Sequence, residues 1–273
     1  MTMTSIAFIG GGNMARSLIG GLVARGQAPG ALRVAEPVPV LREGLAADFG
    51  VAALPSATEA AEGAATWVLA VKPQVLREVC AALAPLAQAQ RPLVVSIAAG
   101  ITTAQIDRWL GGGQAVVRTM PNTPALLGAG AAGLYANAAV DAGQRQAAET
   151  LMQATGITVW IPDEALMDAV TAVSGSGPAY VFLLAEAMQA AGEAQGLAPD
   201  TARRLVVQTL LGASRMLDQS TEPASVLRQR VTSPGGTTQA AVESFEAGGF
   251  RALVDHAIAA ATRRGRELAA GNE

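Results

Sequence analysis

The stretch IAFIGGGNMARSLIGGL, residues 6–22, limits what this chain can fold into more than any other segment. Four apolar residues of strand character run into three consecutive glycines, after which the apolar spacing becomes helical. Gly10, Gly12 and Ala15 fit the pattern G-x-G-x-x-G/A. In it the first small residue permits a tight turn, the second lets backbone approach a pyrophosphate, and the third keeps the helix close to the strand. The helix is read over 14–25, and Asn13 and Met14 lie at its start, where free amides and the helix dipole complement an anion. A strand before and a helix after raise the motif above a plain structural turn and predict dinucleotide binding.

The alternation continues. LRVAE, TWVLAVK, PLVVSIAAG and QAVVRTMPN read as short buried strands, separated by helices near 40–49, within VLREVCAALAPLA and over 103–110. Repeated strand-helix-strand units predict an α/β fold with a Rossmann-type doubly wound sheet covered on both faces. AAGLYAN and ITVWIP predict further strands around an acid-capped helix at 141–154, and the sheet ends near Ile161. Beyond that point long helices over 179–195, 199–218 and 250–268 predict an all-α half. The boundary falls near Pro162, giving a dinucleotide-binding domain at 1–161 and a helical domain at 162–273. Alanine and leucine on more than one helix face need more cover than a small monomer gives, so the helical half is expected to form a homodimer. The tail AAGNE, small and polar, is expected to be disordered.

The inventory of reactive groups is short. His256 is the only histidine, Lys72 the only lysine and Cys80 the only thiol. A zinc site or a serine-histidine-acid triad would lack ligands or partners, so no metal is expected and a cofactor must carry any chemistry. His256 lies off the apolar stripe of Phe250, Leu253, Val254, Ala257, Ile258 and Ala261 and reads as a solvated surface residue. A net charge of -3 with scattered arginines offers no basic stripe for nucleic acid. No apolar run approaches the roughly 18 residues of a membrane span, and the start lacks a basic leader, so the expected location is cytoplasmic.

Ligands of such sheets bind at the carboxyl ends of strands. Glu36 ends the second strand, where an acid can bond the ribose hydroxyls of NAD and repel a 2′-phosphate; Arg33 and Arg42 lie nearby and can offset that repulsion. The choice between NADH and NADPH therefore stays open. Ala70, Val71, Lys72 and Pro73 end another strand, with Lys72 more simply a positioning group than a catalytic amine. SIAAG brings Ala98, and RTMPNTPA brings Met120, Pro121 and Asn122 in a proline-stiffened loop. In the helical half, SGSGPAY contributes Ser176 and Pro178 at a helix start. VTSPGGTTQ sets Ser233, Gly235, Gly236, Thr237 and Thr238 at another, where backbone amides can cradle a carboxylate without an arginine.

FIGGGNMA, AVKPQ, VVSIAAGI, RTMPNTPA, SGSGPAY and LRQRVTSPGGTTQAAVESFE stand in the order and spacing of one family. Nearly the whole chain resembles the pyrroline-5-carboxylate reductases. The resemblance implies a Rossmann domain followed by a helical dimerisation domain, active sites at the dimer interface, and often a ring of five dimers. It implies that residues 233–238 hold the carboxylate of 1-pyrroline-5-carboxylate, with Thr238 placing a hydroxyl near the ring nitrogen. Segments around Ala70, Ala98, Met120 and residues 176–179 would surround the nicotinamide. Ala15 at the third glycine position and Glu36 at the second strand end are the departures, and only the second touches cofactor preference.

A cyclic imine is basic enough to arrive protonated, so its reduction needs a hydride and orientation and no protein acid. Rival expectations are a reductase of another imine or of a β-hydroxyacid, and a dinucleotide sensor without turnover. The hydroxyacid enzymes typically use a lysine in the helical half, which has none here. A sensor needs no second anion site.

Overall fold

The computed structural model describes residues 5–270; the last three residues of the tail lie outside it. Two compact units emerge, unit 1 up to Ser176 together with the chain from Ala261 on, and unit 2 from Gly177 to Ala260.

Unit 1 holds one eight-stranded sheet. Along the chain come β1 (Ile6–Ile9), α1 (Asn13–Ala24), β2 (Leu32–Ala35), α2 (Pro39–Phe49), β3 (Ala52–Leu54), α3 (Ala57–Ala61), β4 (Thr66–Leu69) and α4 (Pro73–Gln90). There follow β5 (Leu93–Ser96), α5 (Thr103–Trp109), β6 (Ala115–Met120), β7 (Gly130–Ala136), α6 (Ala142–Met152), β8 (Gly156–Trp160) and α7 (Met167–Val170). The strand order β3-β2-β1-β4-β5-β6-β7-β8 reverses direction beside β1, the switch point of a doubly wound sheet. All neighbours are parallel except β6 and β7, which pair antiparallel with Met120 opposite Gly133. Their connection, residues 121–129, contains only a short 3-10 turn, Thr123–Leu127, and is too brief for the crossover that parallel strands demand.

The central strands are mostly apolar because both of their faces are covered. Phe8 and Leu32 point into one layer with Leu18, Ile19 and Leu45 of the helices. Ile9, Trp67 and Leu69 point into the other with Leu76, Leu83 and Ile106. Helix boundaries follow local chemistry. Pro39 and Pro73 sit at the first helical positions, Gly50 ends α2 with φ +67°, and Thr102 with Gln105, like Asp141 with Gln144, forms a reciprocal cap.

Unit 2 is helical: α8 (Gly177–Ala194), α9 (Pro199–Gln219), α10 (Ala224–Arg230), α11 (Thr237–Ala247) and the first part of α12 (Phe250–Ala270). The chain turns out of α8 through Gly196, φ +95°, and α8 packs on α9. Among its residues only Ala202 and Val206 are buried apolar side chains. A cavity of about 440 Å³ in unit 1 is exceeded by one of about 930 Å³ in unit 2, lined by Leu184, Met188, Phe245, Phe250 and Val254 among others.

Candidate active site

The glycine turn is clamped between two strand ends. Gly10 donates its N–H to the Ala35 carbonyl at 3.0 Å, and Ala70 donates to the Ile9 carbonyl at 2.8 Å. The three glycines meet three different surroundings. A Cβ on Gly10, whose φ is +109°, would lie 2.7 Å from the Ala70 carbonyl oxygen, and one on Gly11 would lie 2.5 Å from Cδ1 of Leu45. A Cβ on Gly12 would meet nothing within 4 Å. Gly10 and Gly11 are thus small because the protein fills the space beside them, while Gly12 faces open space. Gly12 also caps α1 without any side-chain acceptor, so the first-turn amides at Asn13 and Met14 are left for another acceptor. Ala15, 1 % exposed, lies against the sheet. An open backbone cradle at a helix start fits a pyrophosphate.

Glu36 behaves differently from its motif. It is 7 % exposed, and its Oε2 accepts from Gly11 N–H at 3.2 Å while Oε1 accepts from Val38 N–H at 3.0 Å. Arg42 reaches back over the same bend, its Nη1 donating to the carbonyls of Glu36 at 2.9 Å and Pro37 at 3.2 Å. Arg33 turns the other way, to the Glu62 carbonyl.

The remaining strand ends lie along the same edge. Ala70, Val71 and Pro73 are partly buried, and Lys72 is exposed as the N-cap of α4. Ser96 accepts from Ala98 N–H at 3.3 Å through its hydroxyl, and its carbonyl takes the Thr119 hydroxyl at 3.0 Å, which fixes the ends of β5 and β6. Met120 is partly buried and Pro121 buried. Asn122 is a bridge: its Oδ1 accepts from Ala131 N–H at 2.9 Å and its Nδ2 donates to the Ser174 carbonyl at 3.0 Å. Ser174 belongs to a π-helical turn, Thr171–Gly175, closed by Ser176 N–H on the Thr171 carbonyl at 2.8 Å. A Cβ on Gly175 would come within 2.6 Å of the Met120 methyl, so glycine there lets the methionine in. Met120, Asn122 and the chain up to Ser176 are therefore brought together within unit 1.

The buried ion cluster that supports this segment had a faint signal in the sequence, an arginine inside an apolar strand. Arg118, 5 % exposed, lies 3.3 Å from Glu164 and 3.7 Å from Asp168. Glu164 also accepts from the Thr103 amide and hydroxyl, at 2.7 and 2.8 Å. Removing one member of such a cluster leaves a buried charge uncompensated.

In unit 2, Pro178 is the second residue of α8 and is partly buried. Ser233, Pro234, Gly235 and Gly236 form a turn closed by Gly236 N–H on the Ser233 carbonyl at 3.0 Å, with Gly235 at φ +71°. That is the type II arrangement that Pro-Gly favours. The Gly235 amide is taken by the Gln239 side chain at 2.6 Å, a competitor that residue patterning did not reveal. Gly236 caps α11 without a side-chain bond. The amides of Thr237 and Thr238 and the exposed Thr238 hydroxyl have no partner among the described residues. The loop presents donors and no positive side chain, which suits a small carboxylate.

His256 is exposed on α12. Burial pushes the Cys80 thiol up to about 12, which removes it as a nucleophile near neutrality. Among the described residues no group of three metal-binding side chains occurs, and no helix is long and apolar enough to cross a membrane.

Two family models match. Residues 164–268 match pyrroline-5-carboxylate reductase dimerisation, and residues 5–100 match NADP oxidoreductase coenzyme F420-dependent. The chain is 54 % identical over 270 residues to a pyrroline-5-carboxylate reductase of Pseudomonas aeruginosa, covering 98 % of each. A solved pyrroline-5-carboxylate reductase from Coxiella burnetii superposes with a TM-score of 0.95 at 42 % identity, over 98 % of this chain and 99 % of that one. A pyrroline carboxylate reductase of Plasmodium falciparum, solved with NADP bound, gives 0.86 at 28 % identity over 98 % and 99 %.

Proposed function

This chain belongs to the pyrroline-5-carboxylate reductase family, and on that premise we propose how it works as one. It reduces 1-pyrroline-5-carboxylate to L-proline with NADH or NADPH, the last step of proline synthesis, as a homo-oligomer. The observation that carries this is the relationship over 98 % of the chain, which includes both the glycine turn and the Pro-Gly-Gly loop.

The nicotinamide dinucleotide, when bound, supplies the hydride. Gly10, Gly12, Asn13 and Met14 hold its pyrophosphate by main-chain amides, an assignment supported by the open space at Gly12. Ala70, Val71, Lys72, Pro73, Ala98, Met120, Pro121, Asn122, Ser176 and Pro178 frame the nicotinamide side. Asn122 acts there as a spacer, since both ends of its amide are bonded within the protein. Ser233, Gly235, Gly236, Thr237 and Thr238 receive the substrate carboxylate. The free Thr237 and Thr238 amides support that role, and Gly235 contributes shape, its amide being bonded to Gln239.

The imine nitrogen enters protonated, so carbon needs only a hydride from the correct face. The scarcity of acids and bases then ceases to be a puzzle: one histidine and one lysine suffice because neither is asked to transfer a proton. Orientation does the remaining work, for which effective molarities correspond to about 7–11 kcal/mol. Thr238 is the one side chain assigned a directing bond to the ring nitrogen. Thr238→Ala should lower kcat/KM about tenfold, the value of one hydrogen bond, without abolishing turnover. Complete loss with cofactor affinity intact would make Thr238 a proton donor instead.

We assign the dinucleotide-binding half to residues 1–161 and the dimerisation and substrate half to 162–273. The finer assembly is a ring of five dimers in the cytoplasm, which rests on the family resemblance and is checked by light scattering. Mixing the purified protein with 1-pyrroline-5-carboxylate and either coenzyme tests the reaction. Substrate-dependent oxidation is expected, and none with either coenzyme would overturn the assignment.

A further inference from the structure

A Rossmann acid that reads ribose hydroxyls presents its carboxylate to the cofactor at the end of the second strand. Glu36 does not. Both of its oxygens are bonded to main-chain amides, and one of those amides, Gly11 N–H, lies inside the glycine turn itself. Gly11 is buried, and a Cβ there would strike Leu45, which is 0 % exposed, so packing fixes the amide that the carboxylate accepts from. Turning Glu36 outward would break two charge-assisted bonds and strand a buried N–H that water does not reach. Beside it, Arg42 spends Nη1 on the Glu36 and Pro37 carbonyls and enters no ion pair among the described residues. The residues of the bend, 37–40, are exposed. The charge that a 2′-phosphate would meet at this rim is therefore the arginine's.

We propose that Glu36 is a positioning residue that braces the glycine turn and does not read the ribose, and that Arg42 is the residue that favours NADPH over NADH. The proposal rests on the dinucleotide site described above. An inward carboxylate whose charge is partly offset by two amide dipoles repels a 2′-phosphate less than an outward one, and a planar guanidinium with donors to spare pairs with one readily.

Direct titration of the whole protein with NADH and with NADPH, followed by nicotinamide fluorescence, gives two dissociation constants without turnover. Glu36→Gln keeps an acceptor but loses the charge, and should weaken both coenzymes by a similar factor, about threefold to tenfold for one weakened charged bond. The ratio of the two constants should stay within about twofold, because no charge facing the 2′-phosphate has been removed. Arg42→Gln keeps a donor for the two carbonyls, and should weaken NADPH about tenfold with little change for NADH. A tenfold gain of NADPH over NADH in Glu36→Gln would overturn the brace, and an unchanged ratio in Arg42→Gln would overturn the selector. Unchanged affinities in Glu36→Gln with only a lower Tm would reduce Glu36 to a stability role and also sink the proposal.

Hydrogen exchange on the unaltered protein needs no variant. The Gly11 amide should exchange slowly both free and saturated with NADH, and faster exchange on adding NADH would mean that the carboxylate leaves to bind the ribose. If the unaltered protein bound neither coenzyme, the dinucleotide assignment would fall and take this one with it. A wrong ratio with both bound would sink this one alone.

Discussion

The two units spend their apolar residues in opposite ways. In unit 1, Phe8, Ile9, Trp67 and Leu69 are at most 1 % exposed, and the strands feed two separate layers. In unit 2, Phe182 and Leu183 are each 66 % exposed, Phe245 is 55 % and Leu253 is 67 % exposed. Helix α8 of unit 2, GPAYVFLLAEAMQAAGEA, is largely apolar, yet none of its residues is buried. Packing of α8 on α9 covers only part of that apolar surface. Unit 1 carries its stability within one chain, whereas unit 2 must draw its own from a partner, as expected of a segment that matches a dimerisation model.

Experiments can break or sharpen this contrast. The largest effect belongs to Trp67→Ala, which empties a fully buried site and leaves the Ala61 carbonyl without its indole donor; it should cost about 3–5 kcal/mol. Denaturant unfolding should show that loss at every protein concentration, and a loss that grew on dilution would contradict a self-sufficient unit 1. Next comes Leu253→Glu in unit 2, where a charge placed in a covered interface should weaken association by about 2–4 kcal/mol. Light scattering against concentration would read it, and unchanged assembly would mean that this face of α12 remains in water. Gly10→Ala forces a side chain into the left-handed region against the Ala70 carbonyl, and about 1–3 kcal/mol should be lost, with coenzyme affinity falling at constant oligomer mass.

The smallest effect is a rate. Below the ordinary thiol value of 9.0 Cys80 is protonated both folded and unfolded, so its ionisation contributes nothing to pH dependence there. As pH rises from 9.0 toward about 12 the unfolded thiol ionises first, and stability is lost in that window. At pH 8 a thiol reagent should therefore label Cys80 only through opening of unit 1. The labelling rate should not change on dilution, and a rate that tracked dissociation would tie the two units' stabilities together.

Much of unit 1 was legible because each of its signals is local. The first strand, the glycine turn and the Asp141 cap are decided within a few residues and stand where the sequence placed them, whereas the helix starts at Pro39 and Pro73 were not named. The strand β7 was read from AAGLYAN, but its antiparallel direction was not, although the brevity of residues 121–129 contained the answer. β3 and α3, three and five residues long, carry too little periodicity to be named. The inward turn of Glu36, the Asn122 bridge and the Gln239 cap were invisible for another reason. Each depends on which of several acceptors or donors lies within reach, and that is fixed by tertiary approach rather than by spacing. The π-helical turn before Ser176 falls in the same class, since one extra residue in a helix leaves no mark on composition.

The three glycines at positions 10–12 answer to different judges. A library of variants sorted only for expression should reject alanine at positions 10 and 11 and accept it at position 12, where φ is -67° and the neighbouring space is empty. Sorting the same library for growth without supplied proline should reject all three. The gap between the two sorts at a single position would then measure how far selection for a ligand reaches beyond selection for the folded chain.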